Sequence, residues 1–424
     1  MRIVPERRLK SGSTTDYEDT EEAKFIRNRI LDLMDYHIII GDVEAPTVAD
    51  SLGYSYFRTK GRGTIKFKGV ADPASDYGNM IVEGGWQIEN EGQPDAVQRP
   101  VKVIQRNDLS KNNPITKGNG RTYVLDRPLL PSRRSVYDVV SDTIHYPEFK
   151  SFFKLMERTG IFTATSNTNQ IASQYCISTF NTYHYTVYIP KSSTVDALLA
   201  SKVLMLPDEL QALDTRFVAI RTFLEQKTTY TDPAQKDSAF KRDFRDSLIN
   251  LSYRLFGVND TAMATTAVTS GGSKYMTDIK RNQLKNFVKY HIQDNSVYIG
   301  AEFNAGIDES GQPATEAEYE TAYMNANQQF MKLHVKGGTD ITIKDNAYTM
   351  VNGKKVSTPN TRKVLKTYNA DGKPYFNIMC REYEVKPYTG SLSENTYNYF
   401  SIETSSYAVV HLIDEPLCNG DVNF

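Results

Sequence analysis

Six histidines are the first place to look for chemistry: His37, His145, His184, His291, His334 and His411. None forms a His-x-x-x-His pair and no Cys-x-x-Cys accompanies them, so zinc-ligand spacing is missing. Cys176, Cys380 and Cys418 can close one disulfide at most, which is no disulfide scaffold and leaves the redox compartment open. There is no Gly-x-Ser-x-Gly and no Walker loop. Gly61-Arg62-Gly63 and Gly118-Asn119-Gly120 lack a third glycine and read as turns. Asp308-Glu309-Ser310-Gly311 and Asp371-Gly372 read as loop turns, with too few alternating acids for a calcium loop. The expectation is a protein with no catalytic residues, no metal and no cofactor.

Two of the histidines share a context. Ile30-Leu31-Asp32-Leu33-Met34-Asp35-Tyr36-His37-Ile38 is matched by Leu284-Lys285-Asn286-Phe287-Val288-Lys289-Tyr290-His291-Ile292. Apolar residues at i, i+3 and i+4 (Ile30, Leu33, Met34; Leu284, Phe287, Val288) mark one face of a helix that runs into Tyr-His-Ile. A second pair follows each: Tyr123-Val124-Leu125-Asp126-Arg127-Pro128-Leu129 and His411-Leu412-Ile413-Asp414-Glu415-Pro416-Leu417. Both are short apolar strands stopped by proline, which cannot continue a central strand. The chain therefore contains an internal repeat, longer in its second copy. His37 and His291 can be read in two ways: as ligand-facing residues, or as buried imidazoles bonded to backbone at a helix-to-strand junction. Asp126 and Asp414 read as turn or cap residues.

Elements must position these residues. Copy one alternates over Tyr54–Thr59, Thr64–Phe67 and Met80–Ile88; copy two over Met331–Val335, Thr339–Ile343 and Tyr348–Val356, with an Asn352-Gly353 hairpin signal. Helices that lead into such meanders predict an α+β fold rather than a βαβ array. The middle, 133–283, has no counterpart in copy one. It predicts two short helices broken at Pro147, with Phe149, Phe152 and Phe153 in the core. A strand over Tyr183–Ile189 and a helix start at Ser192 follow. Further helices are opened by Pro207 and marked by Phe240, Phe244, Leu248 and Leu251, and a loop covers Thr261–Ser273.

This order resembles the fasciclin domain. That family's first motif is similar to Thr186-Val187-Tyr188-Ile189-Pro190-Lys191-Ser192, although Lys191-Ser192 departs from its usual Thr-Asn. Its second motif, a Tyr-His pair after an apolar helix, is similar to Tyr36-His37 and Tyr290-His291. Its closing strand is similar to Tyr123–Asp126 and His411–Asp414. The resemblance implies a fasciclin-like β-sandwich or wedge with helices packed at one side. It implies two units: the C-terminal part of a first domain over 1–131, and a complete, enlarged domain over 132–424 with insertions near 207–275 and 300–400. The missing half of copy one would lie upstream of Met1. Long insertions and Tyr/Asn-rich composition resemble the outer-membrane lipoproteins of Bacteroidetes, implying export and a lipid anchor upstream of this chain. In animal relatives the Tyr-His motif is linked to integrin adhesion.

Composition bounds the function. Across 424 residues, 50 Lys and Arg face 51 Asp and Glu, a net charge of −1 that argues against a nucleic-acid partner. No apolar run reaches the roughly 18 residues of a membrane span. The 27 tyrosines are in excess, against 19 Phe and the single Trp86. Tyr383, Tyr388, Tyr397, Tyr399 and Tyr407 crowd the C-terminal region, and Tyr319 and Tyr323 have helical spacing. They can form a contact platform or pack across a sheet. The candidate binding residues are Tyr36, His37, Tyr290, His291, Tyr397, Tyr399 and Trp86. The expected function is non-catalytic docking of an envelope protein such as a nutrient-import complex. Glycan binding by an accessory lipoprotein, or a hydrolase site in the insertions, are the alternatives.

Overall fold

The structure is a computed structural model. It describes residues 7–15, 17–19, 21–41, 43, 54–69, 80–89, 101–108, 120–164, 175–177, 184–226, 233–256, 275–301, 314–387 and 400–420. Tyr388, Tyr397, Tyr399, Asp308–Gly311 and the loop expected at Thr261–Ser273 lie outside these residues.

The fold is α+β. The first part opens with β1 (Arg7–Leu9) and β2 (Tyr17–Asp19), which pair with each other, and continues into helix α1 (Glu21–Tyr36). β3 (Ser55–Arg58), β4 (Thr64–Lys68), β5 (Ile81–Glu83), helix α2 (Gly85–Glu89), β6 (Val101–Asp108) and β7 (Arg121–Leu125) follow. The five strands form an antiparallel meander in chain order, with β7 at one edge. The alternating run at Met80–Ile88 is thus not one strand. Gly84 and Gly85 press so closely on the Leu130–Ser132 backbone that a Cβ on either would collide, and the chain turns there into α2.

The middle supplies helices. Ser135 and Asp138 exchange side-chain and backbone bonds (3.0 and 2.9 Å) at the start of α3 (Val136–Ser141). A 3-10 turn at Pro147–Phe149 leads into α4 (Lys150–Thr159), which ends at left-handed Gly160. The short pair β8 (Phe162–Ala164) and β9 (Tyr175–Ile177) precedes β10 (His184–Pro190) and α5 (Ser192–Ala200). α6 (Pro207–Glu225) and α7 (Pro233–Phe256) pack Leu210, Leu213 and Phe217 against Phe244 and Leu248 as a helical hairpin with its own small core.

α8 (Tyr275–Tyr290) then enters the second meander. Its strands are β11 (Ile292–Asp294), β12 (Glu316–Met324), β13 (Phe330–Lys336), β14 (Thr342–Lys344), β15 (Tyr348–Val351), β16 (Lys354–Ser357), β17 (Thr361–Lys363), β18 (Ile378–Pro387) and β19 (Phe400–Ile413). An eight-stranded sheet runs β17-β14-β13-β12-β11-β10-β19-β18, with β10 inserted parallel to β19 and antiparallel to β11. The main core lies between this sheet and α3, α4, α5 and α8. Tyr319 and Tyr323, with helical spacing in the sequence, belong to β12: residues i and i+4 also share a strand face.

The two units share surfaces. Tyr36 stacks on Tyr407 (ring centroids 6.5 Å apart), Tyr56 stacks on Tyr298 (5.5 Å), and Asp32 pairs with buried Arg381 at 2.6 Å.

Candidate functional site

The Tyr-His pairs do the same mechanical work twice. At the end of α1, His37 Nδ1 lies 2.7 Å from the Leu33 carbonyl, and its Nε2 accepts the amide of Leu129 at 2.8 Å. At the end of α8, His291 Nδ1 lies 2.8 Å from the Phe287 carbonyl, and its Nε2 accepts the amide of Leu417 at 3.0 Å. A ring that accepts at Nε2 and donates at Nδ1 is a neutral imidazole. The carboxylates of Asp126 and Asp414 accept the amides of Lys102 and Lys363 (2.9 and 2.8 Å). The hydroxyls of Tyr36 and Tyr290 donate to the carbonyls of Thr64 and Lys332 (3.0 and 3.2 Å). One hydrogen-bond pattern therefore recurs in both copies.

That pattern corrects the contact role expected of Tyr36, Tyr290 and His291. All three are buried, and their polar atoms are engaged by their own unit's backbone. His37 is half-buried with both ring nitrogens engaged. Burial lowers the His291 pKa to about 3 and that of His411 to about 4. His411 is bonded through Nδ1 to the Asn377 amide (3.1 Å) and through Nε2 to the Val297 carbonyl (2.7 Å). Of the tyrosines crowding the C-terminal region, Tyr407 is buried against Tyr36, and Tyr397 and Tyr399 lie outside the described residues.

Trp86 is half-buried on α2, with the Arg133 guanidinium 5.7 Å from its ring. A cavity of about 240 Å³ where the two units meet is lined not by Trp86 but by its α2 neighbours Ile88 and Glu89, with Arg134, Tyr146, Lys373 and Asn377 among others. Lys373 Nζ donates to the Glu89 carbonyl at 3.0 Å, and Ser132 donates to the Glu89 carboxylate. Burial raises the Glu89 pKa to about 7 despite nearby Arg134. The charges in this cleft come from distant parts of the chain and carry no local motif, so sequence reading missed them. The cleft has room for a small polar molecule, and its side chains form no nucleophile–base pair. Among the described residues no three His, Cys, Asp or Glu side chains gather as metal ligands.

The largest departure from the expected geometry is on α1. Leu284, Phe287 and Val288 of α8 are fully buried, as their spacing predicts. Their counterparts Ile30, Leu33 and Met34 stand 51%, 38% and 55% exposed. Leu31, Ile38 and Ile40 beside them are exposed as well. Isolated surface apolar residues need no explanation, but a contiguous set marks an interaction surface. No family model matches the chain, and no curated protein matches it.

Proposed function

We propose that this chain is a non-catalytic binding protein of fasciclin type, exported to the cell surface, that docks a protein partner of the envelope such as a nutrient-import complex. The observation that carries the reading is the uncovered apolar face of α1, centred on Ile30, Leu33 and Met34. Burying a Leu, Ile or Met side chain is worth about 1.5–3 kcal/mol, so this face stores substantial binding free energy. The fasciclin assignment draws its support from the repeated Tyr-His staple and from a closing strand that ends in an amide-binding aspartate in both copies. The near-zero net charge fits docking without strong electrostatic steering. No described helix is long and apolar enough to cross a membrane.

The test compares wild type with the Ile30→Asp, Met34→Asp double variant in cells that make the protein. Wild type should be accessible to a surface label and co-purify with an outer-membrane complex in mild detergent; the variant should be labelled equally but elute alone. Equal elution of both as free protein, or retention of both on a polysaccharide affinity gel, would sink the reading.

A further inference from the structure

The cleft between the units gathers hydrogen-bond donors that the protein itself does not use. Tyr146 lines it and is only 3% exposed, yet its hydroxyl has no hydrogen-bond partner among the described residues. A buried hydroxyl left unbonded costs stability, so such groups are rare unless something else bonds them. The Arg134 guanidinium lies 5.9 Å from the Tyr146 ring and bonds through Nη2, to the Asp138 carbonyl and the Asp142 carboxylate (3.0 Å each). Its Nε and Nη1 have no partner among the described residues. Lys373 Nζ has three hydrogens and donates one, to the Glu89 carbonyl. Acceptors are fewer. The Glu89 carboxylate already receives the Ser132 hydroxyl, and burial raises its pKa to about 7, so at neutral pH it offsets the two cations only in part. Asp371 also lines the cleft, but it is exposed and screened by solvent. Apolar lining comes from Ile88 on α2 and from Pro374, Ile378 and Met379.

We infer that this cleft binds a small organic carboxylate with a short apolar body. The ligand's carboxylate takes the Tyr146 hydroxyl and the spare N–H groups of Arg134 and Lys373. Its body lies against Ile88, Pro374 and Met379. Charged donors beside a carboxylate form hydrogen bonds about twice as strong as neutral pairs. An inorganic anion would satisfy the donors and leave the apolar lining without a contact. The cavity, about 240 Å³, is smaller than the roughly 300–1,000 Å³ of drug-sized pockets, so the ligand has few atoms beyond its carboxylate. Ile88 and Glu89 belong to the first unit, and Arg134, Tyr146 and Lys373 to the second. A ligand held by both stabilises their contact, because it binds the folded arrangement and not the unfolded chain. The site is separate from the α1 face and does not depend on the docking reading.

The experiment titrates the full chain with sodium benzoate. Uncharged benzamide, of the same shape, and inorganic phosphate are the controls. Calorimetry reads the affinity and amide exchange reads the place. Benzoate should bind with a Kd of about 1 mM or below and slow exchange over both 85–89 and 373–379. Benzamide and phosphate should each bind at least about tenfold more weakly. Tyr146→Phe removes only a hydroxyl that bonds none of the described residues, so the fold is kept, and it should weaken benzoate about tenfold. Lys373→Gln, at a half-buried position, should do the same. Benzamide or phosphate binding as tightly as benzoate overturns the inference. Binding that neither variant weakens, or protection confined to one unit, places the ligand elsewhere and overturns it too. So does the absence of binding to wild type; binding that then appears in the Glu91→Gln, Asp95→Asn variant would assign the donors to the chain's own acids, which follow Glu89 in sequence.

Discussion

The imidazole of His291 accepts the backbone amide of Leu417 at 3.0 Å across 126 residues of chain, and so ties the end of α8 to the segment that follows β19. Its other nitrogen holds the Phe287 carbonyl, and its ring packs 4.5 Å from that of Phe287. Removal leaves a cavity and an unsatisfied buried amide. His291→Ala should therefore cost about 3–4 kcal/mol of stability, the sum of a large-to-small core change and a lost hydrogen bond. His37→Ala removes the same pair of bonds at a half-buried site and should cost about 1–2 kcal/mol. Urea unfolding of the full chain decides the matter; equal costs at the two positions would contradict the difference in burial.

Stability should fall gently and then steeply as pH is lowered. His184, His291 and His411 have pKa values pushed down, chiefly by burial, to about 4, 3 and 4. The unfolded chain binds their protons below about pH 6.5 while the fold does not, so these groups destabilise the fold progressively as pH falls towards 4. Glu89 and Glu382 have values raised by burial to about 7. The fold binds their protons between about pH 7 and 4.5 while the unfolded chain does not, so they stabilise it over that window as pH falls. The two sets oppose each other between about pH 6.5 and 4.5, where three histidines outweigh two carboxylates by one proton. Below that the histidines are joined by Asp142 and Glu209; burial acts to raise their pKa values, but hydrogen bonds and charge from His145 and Lys202 hold them down. Denaturant midpoints measured from pH 8 to 3.5 should decline gently between about pH 6.5 and 4.5 and more steeply below; a steep drop that begins at pH 6.5 would show that the carboxylates do not compensate.

Glu382 isolates one side of that balance. It is buried on β18, and its carboxylate accepts the Ile177 amide at 2.9 Å. Above pH 7 the fold must hold a buried charge there. Glu382→Gln keeps an acceptor oxygen without the charge, so it should stabilise the protein by about 1–2 kcal/mol at pH 8.5 and change little at pH 5. A variant less stable than wild type at both pH values would mean that the ionised carboxylate is needed.

The sequence reading succeeded where local chemistry decides the outcome. Asn352 and Gly353 have the positive φ values (52° and 75°) that the hairpin between β15 and β16 demands. The Tyr-His and Asp-x-Pro landmarks lie far apart in sequence, yet their recurrence marks the repeat, and the same hydrogen bonds form at both. It failed where tertiary partners decide. Periodicity identified the apolar face of α1 but could not say whether anything covers it, and Ile30 and Met34 are exposed where Leu284 and Val288 are buried. Tyr319 and Tyr323 fit a helix or a strand equally well until β13 pairs beside them. Glu89, Arg134 and Lys373 meet only through the contact of two units, and the Asp32–Arg381 pair likewise has no signature along the chain.

The junction between the units can be probed at one glycine. Gly63 lies against the ring of Tyr36, where a Cβ would stand 2.3 Å from the nearest ring carbon, and it also faces Tyr407 at 3.1 Å. Tyr36 cannot retreat: its hydroxyl donates to the Thr64 carbonyl at 3.0 Å and accepts the Gly85 amide at 3.1 Å. Gly63→Ala should therefore overpack the site and cost about 2–3 kcal/mol, although its backbone φ suits any residue. Gly120 provides the control, since a Cβ there meets nothing within 4 Å, and Gly120→Ala should stay within about 0.5 kcal/mol of wild type. Because Tyr36 bridges the first meander to β19, Gly63→Ala should also speed amide exchange over Tyr407–Val410, in a strand far from the substitution in sequence. Unchanged exchange there would show that the two units do not lean on each other through this ring.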